Sequence, residues 1–170
     1  MKSKSLLTVA FFLTFLLMIS CEKETEESLG SIDGEIVSHT QCKQSKTFTL
    51  ALQYENNESC IKYLYIPESK KLELTHINAG FNCCPKSLYC SINTSKDTIN
   101  IEEFEKSALC DCNCLYDLDI EVRGVVPGKY YIKVIEPYCG AQEKLIFEID
   151  LTSGNSGTYC VKRDQYPWGI

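Results

Sequence analysis

From Cys110 to Arg123 the chain alternates with a period of two, and no other stretch constrains the fold as much. If it is extended, Cys110, Cys112, Cys114, Tyr116, Leu118, Ile120 and Val122 share one face, and Asp111, Asn113, Leu115, Asp117, Asp119, Glu121 and Arg123 share the other. One face is apolar and the other nearly all polar, which is the pattern of a half-buried antiparallel strand. Three thiols are carried inward on this reading, and seven further cysteines lie beyond residue 21 to meet them.

Eleven cysteines in 170 residues is far above ordinary usage, and what they mean depends on the redox compartment. Lys2 and Lys4 precede an uncharged apolar run from Leu6 to Ile19, and Ser20-Cys21 follows at once. The run is shorter than the ~20 residues a bilayer-spanning helix needs, so residues 1–20 read as a signal helix that is cleaved. Met18-Ile19-Ser20-Cys21 resembles the lipobox of bacterial lipoproteins, whose cysteine is acylated and becomes the new N-terminus, and this assigns lipidation to Cys21. Residues 21–30 then form the lipidated end and a flexible acidic tether, because Glu22 to Glu27 contain nothing apolar to bury. The glutamates of this tether also resemble the surface-export signals of Bacteroidetes-type lipoproteins. The expected location is the outer membrane, lipid-anchored and exposed at the cell surface; a periplasm-facing domain is the alternative. Loss of Lys2 and Lys4 leaves 15 basic against 23 acidic residues, a net charge of −8, which argues against nucleic acid as a partner.

Outside the cytosol, an even set of cysteines reads as a disulfide framework. The candidates are Cys42, Cys60, Cys83, Cys84, Cys90, Cys110, Cys112, Cys114, Cys139 and Cys160. Connectivity stays open. Adjacent Cys83 and Cys84 face opposite sides of a strand and should bond to different partners, with Cys110, Cys112 or Cys114 available to Cys83. A metal is the rival use of this sulfur, with His76 and His39 as the available imidazoles. Structural zinc usually takes paired cysteines two to four residues apart, and the middle cluster offers a spacing of one, so no metal and no cofactor is expected.

Short segments with strand character recur along residues 31–170, joined by polar turns. They are Thr47 to Tyr54, Cys60 to Ile66, Leu72 to Cys84, the face Leu88, Cys90 and Ile92, Thr98 to Phe104, Lys129 to Glu136, Glu143 to Leu151 and Thr158 to Val161. Within Leu72 to Cys84 the apolar parity changes, from Leu72 and Leu74 to Ile77, Ala79, Phe81 and Cys83, which predicts a bulge near Thr75-His76. No sustained helical period occurs. The expected fold is all-β, one antiparallel β-sandwich domain of immunoglobulin-like type.

His76-x-Asn78 leading to Asn82-Cys83-Cys84, Cys110-x-Cys112-x-Cys114-x-Tyr116-Asp117, Pro127-Gly128-x-Tyr130 and Cys160-Val161-x-Arg163-x-x-Tyr166-Pro167-Trp168 together resemble a group of uncharacterised Cys-rich lipoproteins of Bacteroidetes-type bacteria. The resemblance implies location and an all-β fold; it brings no activity and no catalytic residues. No Cys-x-x-Cys, Gly-x-Ser-x-Gly or phosphate-binding glycine loop occurs, so an enzyme is not expected. Asp117, Asp119 and Glu121 read as the solvated side of their strand. Tyr63, Tyr65, Tyr131, Tyr138, Tyr166 and Trp168 are the candidate binding rings, since such side chains offer apolar area with a polar edge. The expected role is a lipid-anchored cell-envelope lipoprotein acting as a binding or accessory module. Its partners would be the membrane, through the acylated cysteine, and a glycan or protein ligand. A purely structural envelope protein and a metal-binding or thiol-active protein are the alternatives.

Overall fold

The computed structural model describes residues 31–43 and 57–165. Cys21 with the leader and tether, the expected strand Thr47 to Tyr54, Tyr166 and Trp168 lie outside these residues. The described chain forms nine strands: β1 (Asp33–His39), β2 (Glu58–Ile66), β3 (Lys71–Asn82), β4 (Pro85–Ser95), β5 (Thr98–Ala108), β6 (Asn113–Arg123), β7 (Lys129–Ile135), β8 (Ile146–Asp150) and β9 (Ser156–Lys162). They make a five-stranded sheet in the order β1-β6-β3-β2-β9 and a four-stranded sheet in the order β4-β5-β7-β8. All pairings are antiparallel except β5 with β7, which run parallel. A parallel pair needs a crossover, and β6 supplies it by passing through the opposite sheet. The result is the all-β sandwich that the alternation predicts.

β6 lies between β1 and β3. Its inward residues Cys114, Tyr116, Leu118, Ile120 and Val122 are all buried, and they face Ile99 and Ile101 of β5 and Ile132 and Val134 of β7 in one apolar core. Burying each such side chain contributes about 1.5–3 kcal/mol, so this layer supplies much of the drive to fold. The strand begins at Asn113, however. Cys110 and Cys112 precede it, half-buried and exposed respectively, and are not carried into the interior.

The bulge in β3 falls between His76 and Ala79, slightly later than the apolar parity suggests. His76 therefore continues the inward set of Leu72 and Leu74. Ile77, opposite Cys60, is buried but stands outside the main core, and Ala79 and Phe81 resume the inward face. Asn78 takes the left-handed conformation, φ 62°, that the extra residue requires, and asparagine tolerates it better than most residues do. Its side chain is used as well. Nδ2 donates to Glu58 O at 2.7 Å and Oδ1 accepts from Lys43 Nζ at 2.9 Å.

β1 has no apolar alternation and is a strand because β6 offers it an edge. Gly34 permits the approach: a Cβ there would lie 2.2 Å from Glu121 O and 2.5 Å from Ile92 Cδ1.

Four disulfides brace the sandwich: Cys42–Cys114, Cys60–Cys160, Cys83–Cys112 and Cys84–Cys110. Cys83 and Cys84 do take different partners. Cys90 and Cys139 are not bonded, so eight of the ten candidate cysteines make up the framework. Cys90 sits on β4 opposite Glu103, and Cys139 is buried in the β7–β8 link beside Arg163. Among the described cysteines, neither has another left to pair with except each other.

Candidate functional site

The least expected feature of the interior is a run of polar side chains joining the two sheets. His76 on β3 has 0% exposure, and so does Ser59 beside it on β2. The imidazole sits 2.7 Å through Nδ1 from Glu103 Oε1 on β5, and 2.9 Å through Nε2 from Ser59 Oγ. Glu136, just after β7, is 3.8 Å from His76 Nε2 and is held in a fork by Arg163, just after β9, at 2.8 and 2.6 Å. Arg163 also donates to Glu143 O at 2.7 Å and to Cys139 Sγ at 3.0 Å. Two carboxyls thus meet two basic groups across the sandwich. A charge so placed needs both a partner and hydrogen bonds to offset its desolvation.

The His76–Glu103 pair holds a proton more firmly than either group would alone. For His76, burial disfavours the charged ring, but the adjoining Glu103 carboxylate outweighs it and the pKa is raised. For Glu103, burial is the larger effect and raises the carboxyl pKa, with His76 opposing it. Both shifts favour retention of one proton between Nδ1 and Oε1, and the pair titrates as a unit. Glu103 Oε2 is buried with no hydrogen-bond partner among the described residues.

Ser59, His76 and Glu103 follow the order hydroxyl, imidazole, carboxyl that a hydrolytic triad uses. Chemistry at Ser59 Oγ would need a substrate within reach, and every member of this chain is sealed inside the sandwich. The arrangement can hold a proton and lock the sheets in register; in this conformation it cannot admit an acyl group. The sequence reading, which names His76 as an imidazole available to a metal, does not foresee its buried hydrogen bonds to Glu103 and Ser59. It missed Glu103 and Glu105, because Glu102 to Ser107 reads as a polar link. In the structure β5 runs through that segment and turns both glutamates inward. Glu105 accepts from the Asn82 N–H at 2.7 Å and from the Tyr138 hydroxyl. The signal present in the sequence was the alternation Ile99, Ile101, Glu103, Glu105, legible only if an acid is allowed on a buried face.

The candidate rings are dispersed. Tyr65 is buried, donating to Val125 O at 3.1 Å. Tyr138 is tied to Glu105, which pushes its hydroxyl pKa up to about 12. Tyr63 is half-buried at the β2–β9 side, stacked on Phe147, which stacks in turn on Tyr159 at 4.6 Å. Of the candidates described, Tyr131 alone is exposed, at 43%. It lies on the outer face of the four-stranded sheet, which also carries Tyr89, 48% exposed and stacked on Phe104 at 5.2 Å. Asn93 and Asn100 are paired at 3.2 Å on the same face, and Ile135 and Ile146 are exposed there too. Sequence reasoning passed over Tyr89 and Phe104 because nothing local shows that β4 and β5 place them directly opposite each other.

The acids of β6 are occupied by neighbours. Asp117 pairs with Lys43 at 2.5 Å, Asp119 accepts from Ser38 and Thr75, and Glu121 pairs with Lys71 at 3.2 Å. At the far end of the sandwich, the sulfurs of Cys83, Cys84, Cys110 and Cys112 all lie within 4.8 Å of one another. Comparisons with protein-family models, with curated proteins and with solved structures find no match to this chain.

Proposed function

We propose that this chain is a lipid-anchored lipoprotein of the outer membrane, of the Cys-rich kind found in Bacteroidetes-type bacteria, and that its sandwich is a glycan-binding module. The leader and the Ser20-Cys21 junction support acylation at Cys21, with the acidic tether holding the domain away from the bilayer. Four disulfides among the described residues suit an oxidising compartment. The observation that carries the binding role is the outer face of the four-stranded sheet, which carries the stacked Tyr89–Phe104 pair and, four residues along the same strands, the Asn93–Asn100 amides with Tyr131 near them. Sugars present apolar C–H faces edged by hydroxyls, and an extended face with both rings and amide groups meets both demands.

The location is tested by labelling cells with an alkyne fatty acid. The wild-type chain should take up label and sediment with membranes, and Cys21→Ala should do neither; an unlabelled, soluble wild-type chain refutes the anchor. Binding is tested by screening the detergent-solubilised chain against a polysaccharide array. Retention lost in Tyr89→Ala and Tyr131→Ala supports the module. Retention of no glycan, or retention indifferent to both changes, refutes it in favour of a protein ligand or a purely structural envelope role.

A further inference from the structure

We infer that Cys83, Cys84, Cys110 and Cys112 form a redox-gated site for a soft divalent cation of the zinc type, closed as two disulfides and open to metal as four thiols. The inference does not rest on glycan binding or on the anchor. It begins from where the strands end. Cys83 and Cys84 are the whole connection between β3, which stops at Asn82, and β4, which starts at Pro85. Cys110-Asp111-Cys112 lies in the connection between β5 and β6. The two connections face each other because the ladders below them are in register up to their last rungs, Asn82 with Asn113 and Pro85 with Ala108.

Backbone groups and the Asn82 side-chain amide clamp the connections independently of sulfur. The Cys83 N–H donates to Cys112 O at 3.0 Å, Asn82 Nδ2 donates to Cys110 O at 2.5 Å, and the Cys84 N–H donates to Asn82 Oδ1 at 2.9 Å. Breaking the S–S bonds therefore leaves four thiols gathered. A four-sulfur zinc centre has Zn–S bonds of about 2.3 Å, which places sulfurs ~3.8 Å apart along each edge of the tetrahedron. The vicinal Cys83 and Cys84 sulfurs are already 3.9 Å apart, and all four fall within 4.8 Å. Side-chain rotations of about an ångström close the set. The usual spacing of two to four residues lets one loop wrap an ion; here two sheets do the gathering, so the spacing of one that speaks against a metal in the sequence loses its force.

Access separates this cluster from the other bridges. Cys112 is exposed and its three neighbours are half-buried, whereas each remaining bridge joins a buried sulfur, Cys114 or Cys60, to an accessible one, Cys42 or Cys160. Exchange requires a thiolate to reach a sulfur, and here both sulfurs of each bridge can be reached, so a reductant opens this end first. Two equivalents of an external dithiol are consumed. Each gives two electrons and two protons to one disulfide and leaves as its own disulfide, and four cysteine thiols result. One zinc ion then displaces four protons and binds four thiolates without changing its oxidation state. Two equivalents of the oxidised dithiol reverse both steps: each takes two electrons from one re-forming disulfide and two protons from solvent, and the ion leaves as its thiolates are consumed.

The test uses the full chain in detergent, without oxygen, titrated with a phosphine reductant. Mass mapping of alkylated cysteines should show Cys83, Cys84, Cys110 and Cys112 opening before Cys42, Cys114, Cys60 and Cys160. Zinc added alone should then bind at one ion per chain and shield those four from alkylation, while Cys90 and Cys139 are no more shielded than before. Cobalt in its place should give the intense visible bands of a tetrahedral thiolate centre. Cys84→Ser with Cys110→Ser should abolish stoichiometric binding; should that variant not fold, the shielding pattern of the wild-type chain decides alone. Failure of zinc to bind, binding that shields other cysteines instead, or earlier opening of the other two bridges overturns the inference and leaves two purely structural disulfides.

Discussion

Replacing Arg163 by methionine removes the only basic group within hydrogen-bonding distance of Glu136 among the described residues, while keeping most of the buried volume. The carboxylate is left in the interior, 3% exposed, with His76 Nε2 at 3.8 Å as its nearest basic neighbour. A stranded carboxylate does not stay charged at any cost; it takes up a proton. For an ordinary glutamate near pKa 4.3, protonation costs about 3.7 kcal/mol at pH 7 and about 1 kcal/mol at pH 5. Loss of the hydrogen bond to Glu143 O adds ~1 kcal/mol at either pH. Arg163→Met should therefore destabilise by about 4–5 kcal/mol at pH 7 and about 2 kcal/mol at pH 5, in line with the ~3–5 kcal/mol seen when one partner of a buried pair is removed. The reverse change, Glu136→Gln, strands a guanidinium, which has no comparable escape because it does not give up its proton in proteins. Its penalty should be similar in size but nearly independent of pH. Equilibrium urea unfolding with the disulfides intact measures all of these as differences from wild type at each pH. A penalty for Arg163→Met below about 1 kcal/mol at pH 7, or one equal at pH 5 and 7, would refute the reasoning, because the pair would then not be screened from water.

Three further outcomes are expected. Wild-type stability should fall as pH rises from about 6.5, the unfolded histidine value, towards the raised folded value of His76. The raised pKa of Glu103 acts in the same direction at lower pH, and Glu103→Gln should flatten the profile; a wild-type curve that climbs between pH 6.5 and 9 contradicts the shared proton. Cys60→Ser with Cys160→Ser frees edge strand β9 and reopens a loop with a sequence separation of 100. An isolated bridge of that span contributes about 4.7 kcal/mol, so with three others present the loss should be ~2–4 kcal/mol, read from the urea midpoint. An unchanged midpoint rules the bridge out as a brace. Native chain should react slowly with iodoacetamide at pH 7.5, because burial raises the Cys90 pKa to about 11 and Cys139 is enclosed. Unfolding without reductant should expose both thiols; finding them already oxidised together would show a fifth bridge.

Much of the architecture was legible because a strand's side chains alternate whatever it pairs with. Leu118, Ile120 and Val122 announce a buried face without reference to any other part of the chain, and so do Tyr130, Ile132 and Val134 or Phe147 and Ile149. The bulge showed itself as a break in parity, displaced by the inward His76. β1 did not show itself at all. Its strand state depends on the open edge of β6, which Asp33 lies 90 residues away from through its bond to Arg123. The same distance hid Glu103 and Glu105, whose burial is tolerable only because His76, Tyr138 and the Asn82 N–H arrive from elsewhere.

The sulfurs divide along the same line. Composition alone called for disulfides, and the opposite faces of adjacent Cys83 and Cys84 pointed them to different partners rather than to each other. Which cysteines meet was decided by strand order: β2 beside β9 joins Cys60 to Cys160, and the clamped β3–β4 and β5–β6 connections collect four sulfurs at one end. Cys90 and Cys139 were left single by that order, on β4 and in the β7–β8 link. Periodicity is a property of neighbouring residues and can be read from them; pairing and the neutralisation of buried charge belong to residues that only folding brings together.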